Sequence, residues 1–169
     1  TELELSSSDC FEYAGVIIRG RVDRVDVNSA QGQFVVIDYK GSVSGHDAGF
    51  DPDKNDSFVL PYKIQSLIYA QVLKQKLPER PVGALYFNYR AQENAHSVAG
   101  SYDDAFLNLS GFARSASSVK LNFNQYLSLV EEEVSKRLED MKAGIIEQKP
   151  LCNESCKYCP VTTCPRRLS

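Results

Sequence analysis

No stretch of the chain approaches the ~18 consecutive apolar residues that a membrane-spanning helix needs, which argues against a helical membrane protein. The amino terminus, TELELSSSD, also lacks the basic start and apolar core of a secretory signal, so an intracellular, cytoplasmic setting is expected. A cationic excess is missing as well. The formal net charge of -3 excludes a surface that is basic throughout, but it leaves room for a local basic strip beside metal-binding carboxylates. Cysteine is nearly absent until the end: Cys10 stands alone in the first 151 residues, and Cys152, Cys156, Cys159 and Cys164 follow within 13. An extracellular disulfide framework needs partners spread through the fold, whereas thiols this crowded suit one ion or cluster under reducing conditions.

Tryptophan is lacking too, but Tyr and Phe are common, and a composition of 43% hydrophobic and 24% charged residues is that of a chain with a folded core. A length of 169 residues suits one domain. We divide it into a core over residues 1–150 and a cysteine-rich metal- or cluster-binding tail over 151–169. The first apolar alternation begins at once, with Leu3 and Leu5 just behind Thr1, and this abrupt start reads as that of a piece of a larger protein with neighbours upstream.

Residues 12–27 mix β-branched and polar residues and predict a strand, bent at Gly15 or Gly20. FVVIDYK at 34–40 predicts its partner across the turn NSAQG. If Ser29 to Gly32 form a four-residue loop, Asn28 faces Gln33, Asp23 faces Asp38 and Arg21 faces Lys40. Alternation then puts Asp23, Asp38 and Lys40 on one face, with the Tyr39 ring on the other. A five-residue loop would pair Asp23 with Ile37 and break that alignment. Residues 41–58 read as a long loop, 60–76 as a helix with Pro61 in its first turn, and 81–90 as a strand. Short strands are expected within 97–110, and 111–118 is loop-like. A second helix is expected over 123–142, capped by Asn122 and ended by Gly144. The alternation of strands and helices predicts an α/β layer fold.

Two carboxylates on adjacent strands, Asp23 and Asp38, can hold a hard divalent cation, Mg²⁺ or Mn²⁺, with the Tyr39 carbonyl as a further ligand. Such an ion polarises a phosphoryl oxygen and acidifies a bound water. Lys40, two residues beyond Asp38, is placed to orient that water or to neutralise charge in the transition state. An isolated Asp-x-Lys is more often a solvated or salt-bridged face. Its conjunction with an Asp on the preceding strand, and with Gln65 and Tyr69 four apart on a following helix, favours a site. Arg24 and Asp26 alternate away from Asp23 and are expected to form a structural salt bridge.

GRVDRVD at 20–26, VIDYKGS at 36–42 and QSLIY at 65–69 resemble motifs of the RecB-like branch of the PD-(D/E)XK nuclease superfamily, above all the carboxy-terminal nuclease domain of AddB-type helicase–nuclease subunits. The resemblance implies a restriction-endonuclease-like core, a central mixed β-sheet flanked by helices. It assigns metal binding to Asp23 and Asp38, catalytic assistance to Lys40, and positioning of DNA or other catalytic groups to Gln65 and Tyr69. It further implies an upstream helix that adds a His or Glu to the site. Only 22 residues precede Asp23, and neither Glu2, Glu4 nor Glu12 lies in a convincing helical pattern, so that helix is expected to be missing here.

In the tail, the spacing C-x3-C-x2-C-x4-C suits Zn²⁺ or an iron–sulfur cluster. The resemblance implies a [4Fe-4S] cluster, with Cys156, Cys159 and Cys164 matching three tail ligands although their last interval is one residue short. Cys152 is a local fourth ligand, and Cys10 a weak substitute for an upstream one. Lys157, Arg166 and Arg167 are either phosphate contacts or solvated charges.

The leading expectation is therefore a metal-dependent DNA nuclease or exonuclease domain of repair and recombination, partnered by DNA and a helicase or helicase–nuclease subunit. The alternatives are a non-catalytic DNA- or helicase-binding module that keeps the fold, and a zinc-ribbon-like interaction protein whose Asp and Lys residues are mere surface.

Overall fold

The computed structural model describes residues 3–5, 11–43, 60–61, 63–92, 95–119, 122–145, 156–157 and 159–167. Most of the loop expected at 41–58 lies outside these residues, as do Cys10 and Cys152. The chain divides into two compact units, Thr1–Ser135 and Lys136–Ser169.

The first unit is built on a five-stranded mixed sheet in the order β5-β6-β7-β8-β9, formed by Arg24–Asn28, Gln33–Lys40, Arg80–Asn88, Val98–Tyr102 and Ser117–Ser118. β5 and β6 are antiparallel, β6 and β7 parallel, β7 and β8 antiparallel, and β8 and β9 parallel. Helix α1, Gln65–Leu73, lies between β6 and β7 in sequence and makes the crossover that a parallel pair requires. This is the α/β core expected from the sequence.

Alternation along β6 sorts its side chains between two faces. Phe34 and Val36 join Leu67, Ala70, Val72 and Leu73 of α1 in one core, whereas Val35 packs with Val82, Leu85, Val98 and Tyr102 in another. Asp38 and Lys40 continue the first series. They stand on the α1-facing side, where the apolar run gives way to charge.

The four-residue loop is the one formed. Asn28 pairs with Gln33, Gln31 N–H reaches the Asn28 carbonyl at 3.1 Å, and Gly32 closes the turn at φ +62°. No Cβ clash guards that position, so it is the left-handed backbone that calls for glycine.

Three expectations are corrected. Residues 12–27 are not one bent strand but four short ones: β2 (Phe11–Tyr13) and β3 (Val16–Ile18) form a hairpin about Ala14 and Gly15, β4 (Gly20–Val22) pairs with β1 (Leu3–Leu5), and β5 follows. Positive φ at both Ala14 and Gly15 folds the chain back there. Arg21 accordingly pairs with Glu4 and not with Lys40. The first helix runs over Gln65–Leu73, starting well after Pro61. Its N-cap, Ile64, offers no side-chain acceptor, and the first-turn N–H of Ser66 is met instead by the Tyr86 hydroxyl of β7 at 3.2 Å. A tertiary contact sets the start of this helix, and no local cap signal could reveal it.

The strand expected at 81–90 is β7, and β8 falls within 97–110, while β9 lies in the stretch read as loop. Helix α2, Phe123–Lys142, has the expected bounds. Asn122 caps it by accepting the Asn124 N–H at 3.0 Å, and Gly144, at φ +74°, ends it. Phe123, Tyr126, Leu127 and Val130 are buried in the first unit's core.

In the second unit, the N–H of Cys159 donates to the Cys156 carbonyl and that of Arg167 to the Cys164 carbonyl. The Arg167 guanidinium donates to the carbonyls of Cys159 and Val161. Arg167 therefore ties the tail together through backbone carbonyls, a role other than the phosphate contact or solvated charge expected for it.

Candidate active site

Strand register brings the key carboxylates together. β5 enters its ladder with Arg24 opposite Ile37, so Asp23, in the bend between β4 and β5, reaches the level of Asp38. Its carboxylate bridges to β6 by accepting the Tyr39 N–H at 3.0 Å. Asp38 is only 3% exposed. Lys40 forms an ion pair with Asp38 Oδ2 and donates to Gln65 Oε1 at 3.0 Å, and Gln65 Nε2 donates to the Tyr69 hydroxyl at 3.1 Å. One continuous polar chain thus runs from Asp38 through Lys40 and Gln65 to Tyr69. Gln65 and Tyr69, one helical turn apart, belong to that chain as the sequence anticipated.

The close fit extends to the GRVD segment. A Cβ added to Gly20 would stand 2.7 Å from the Tyr69 hydroxyl, so glycine there lets the tyrosine lie against β4. On the opposite face Arg24 binds Asp26 through two hydrogen bonds of 2.7 and 2.8 Å and reaches the Tyr39 hydroxyl at 3.3 Å. These residues turn away from the site, as alternation requires.

Burial holds the Asp38 carboxyl above its usual range, and the nearby Asp23 charge pushes the same way, against the opposing pull of Lys40 and Lys63. Apart from its ion pair with Lys40, Asp38 Oδ2 has no hydrogen-bond partner. A buried carboxylate facing a second one, with an oxygen incompletely satisfied, is a donor set that suits a hard divalent cation. Among the described residues, no group of three or more His, Cys, Asp or Glu side chains is gathered as a metal cage.

Three further residues escaped the sequence reading. Tyr86 is buried in β7, with its ring 5.8 Å from both Lys40 Nζ and Lys63 Nζ. Lys63 and Arg19 join Lys40, Gln65 and Tyr69 in lining a cleft of about 600 Å³. A tyrosine inside an apolar strand carries no local mark of this role. Only the β6–β7 register, which sets Asp38 beside Tyr86, brings it to the lysine.

The mixed sheet, with Asp23 beside Asp38 and Lys40 at the end of an inner strand, is that of an α/β protein. A family model described as the PD-(D/E)XK nuclease superfamily matches residues 1–165, and the chain belongs to that superfamily. No curated protein and no solved structure matches it. Membership implies nuclease-type hydrolysis of phosphodiester bonds and contact with DNA. Among the described residues, no helix is long and apolar enough to cross a membrane.

Proposed function

We propose that the protein is a divalent-metal-dependent deoxyribonuclease of DNA repair and recombination, of the AddB type, acting beside a helicase subunit. The observation that carries this reading is the polar chain Asp38–Lys40–Gln65–Tyr69 beside the Asp23 carboxylate. Asp23, Asp38 and the Tyr39 carbonyl hold Mg²⁺ or Mn²⁺. Bound there, the cation supplies Lewis acidity toward a phosphoryl oxygen and toward attacking water. Lys40, steadied by Gln65, places positive charge where the phosphorane oxygens develop negative charge, and Lys63 and Arg19 lend the cleft cationic character for the DNA backbone.

Mg²⁺ or Mn²⁺ is expected to switch on cleavage of labelled DNA, and EDTA to abolish it. At ~100 times its dissociation constant the metal should stabilise the fold by about 2.7 kcal/mol, or roughly 5–10 °C in melting temperature. Without metal, the raised Asp38 pKa contributes stability that is present below the unfolded carboxylate range and lost as pH rises through the folded value. The metal-induced shift should therefore grow with pH across that window and disappear in Asp38→Asn. A cation that neither shifts melting nor supports cutting would sink the reading.

In the tail, Cys152, Cys156, Cys159 and Cys164 hold a [4Fe-4S] cluster, with Zn²⁺ as the alternative occupant. Support comes from their spacing and from the turns in which Cys159 N–H meets the Cys156 carbonyl and Arg167 N–H the Cys164 carbonyl. Cys159→Ser is expected to lower iron content in anaerobically purified protein and to reduce stability. Unchanged metal content and melting would dismiss the site.

A second reading, a non-catalytic module that binds DNA or a helicase through the same fold, draws on one observation. Among the described residues, no third acidic or histidine ligand joins Asp23 and Asp38. The cleavage assay separates the two readings.

A further inference from the structure

Tyr86 is 1% exposed, yet both parts of its side chain serve polar groups. Its hydroxyl accepts the Ser66 N–H at 3.2 Å, and its ring centroid lies 5.8 Å from Lys40 Nζ and from Lys63 Nζ. The parallel register of β7 on β6 sets it opposite Asp38, so the two side chains leave the sheet on the same face. One buried residue thus meets the first turn of α1 with its hydroxyl and the lysine of the polar chain with its ring.

Each contact bears on where the Lys40 ammonium sits. A lysine has a long, rotatable stem, and holding its charge at one point costs side-chain entropy that fixed contacts must offset. Lys40 has Asp38 and Gln65 as partners. Gln65 is the first residue of α1, and the N-cap before it, Ile64, lends no side-chain hydrogen bond. Ser66, next in line, is fully buried, and its own hydroxyl finds no partner among the described residues. The bond from the Ser66 N–H to Tyr86 therefore ties this turn to the sheet, and it fixes the point from which Gln65 reaches Lys40. The ring acts on the same ammonium directly, because a cation within about 6 Å of an aromatic centroid is attracted by the ring's quadrupole, most strongly where water is excluded.

We propose that Tyr86 is a positioning residue of the nuclease site: its hydroxyl sets Lys40 through the start of α1 and Gln65, and its ring steadies the same ammonium from the sheet. The proposal deepens the nuclease reading and rests on it for the reaction. Tyr86 itself takes no part in bond breaking.

Two measurements test it, one of them independent of cleavage. The ε-methylene protons of Lys40, identified by their loss in Lys40→Ala, are expected to lie upfield of an ordinary lysine in NMR spectra of the metal-free protein. They should remain upfield in Tyr86→Phe and return to the ordinary position in Tyr86→Leu. In single-turnover cleavage of labelled DNA at saturating Mn²⁺, Tyr86→Phe is expected to slow the reaction roughly 10- to 100-fold, the scale of a small misplacement of a catalytic group. Affinity for DNA should hold within about twofold. In a Gln65→Ala background the same change should slow cleavage by no more than about twofold, because the route through Gln65 is already gone. A fold merely loosened by losing a buried hydrogen bond would slow both backgrounds alike. Lys40 protons at the ordinary position in the parent, cleavage by Tyr86→Phe at the parent rate, or equal slowing in both backgrounds overturns the proposal, and the nuclease reading then stands if the parent cuts. A parent that cuts no DNA brings down the nuclease reading, and the positioning role with it, even where the proton shifts are found.

Discussion

Lys40→Ala is expected to slow metal-supported DNA cleavage roughly 10²- to 10³-fold, the scale of losing one well-placed electrostatic contact to a transition state, and Asp38→Ala to reduce it below detection. The two effects differ in kind. In the proposed function Asp38 would supply an anionic oxygen to the metal, so its loss would remove the ion's seat. Lys40 is held by Asp38 on one side and Gln65 on the other. Its loss leaves both carboxylates in place but takes away the cation paired with Asp38. Single-turnover rates at saturating metal read the chemical step directly, and melting with and without metal tells the defects apart: Asp38→Ala should lose the metal-induced shift and Lys40→Ala should keep it. The fold should survive both changes, because neither side chain belongs to the apolar core. Cleavage at the parent rate in either variant would remove this constellation from the chemistry.

Gly100→Ala should be the most damaging small substitution in the described sheet. Gly100 lies in β8 at φ +107°, and a Cβ there would meet the Ala84 carbonyl oxygen at 2.4 Å and Leu85 Cα at 3.1 Å. Both contacts are with the backbone of the central strand β7, which cannot turn aside as a side chain would. Conformational strain and steric overlap together cost about 3 kcal/mol or more, or a fall of roughly 6–12 °C in melting temperature. Gly32→Ala is the control. It also carries positive φ, but a Cβ there meets nothing within 4 Å, so about 1–2 kcal/mol is expected. Thermal melting of the two variants side by side decides the matter, and equal losses would show that the packing of β8 on β7 is not as tight as described.

Much of the site could be read from the residues because its parts are local. The Asp23–Asp38 pairing follows from a hairpin whose loop length is marked by Asn28 and Gly32. The Lys40 placement follows from alternation, and the Gln65–Tyr69 contact from helical spacing. What could not be read depends on contacts distant in sequence. Ser66 is capped by Tyr86, twenty residues on, so the helix start was misplaced. The division of residues 12–27 into four strands depends on pairing with Leu3–Leu5, which no pattern within that segment announces. Tyr86 lies in an apolar strand with nothing local to mark it, and only the parallel register of β7 on β6 sets it beside Asp38.

That parallel register bears on when the site comes into being. The hairpin β5–β6 closes through four residues and can pair early, but β7 enters the sheet only after the chain has traversed α1, a loop closure of about forty residues and a correspondingly slow event. Until it docks, Ser66 lacks its hydroxyl partner and Gln65 has no fixed post from which to hold Lys40. A folding or nascent chain therefore exposes its carboxylates well before it can aim them at a phosphate. Competence to act on DNA then arrives together with global folding, and partly unfolded molecules should be inert bystanders to the genome around them.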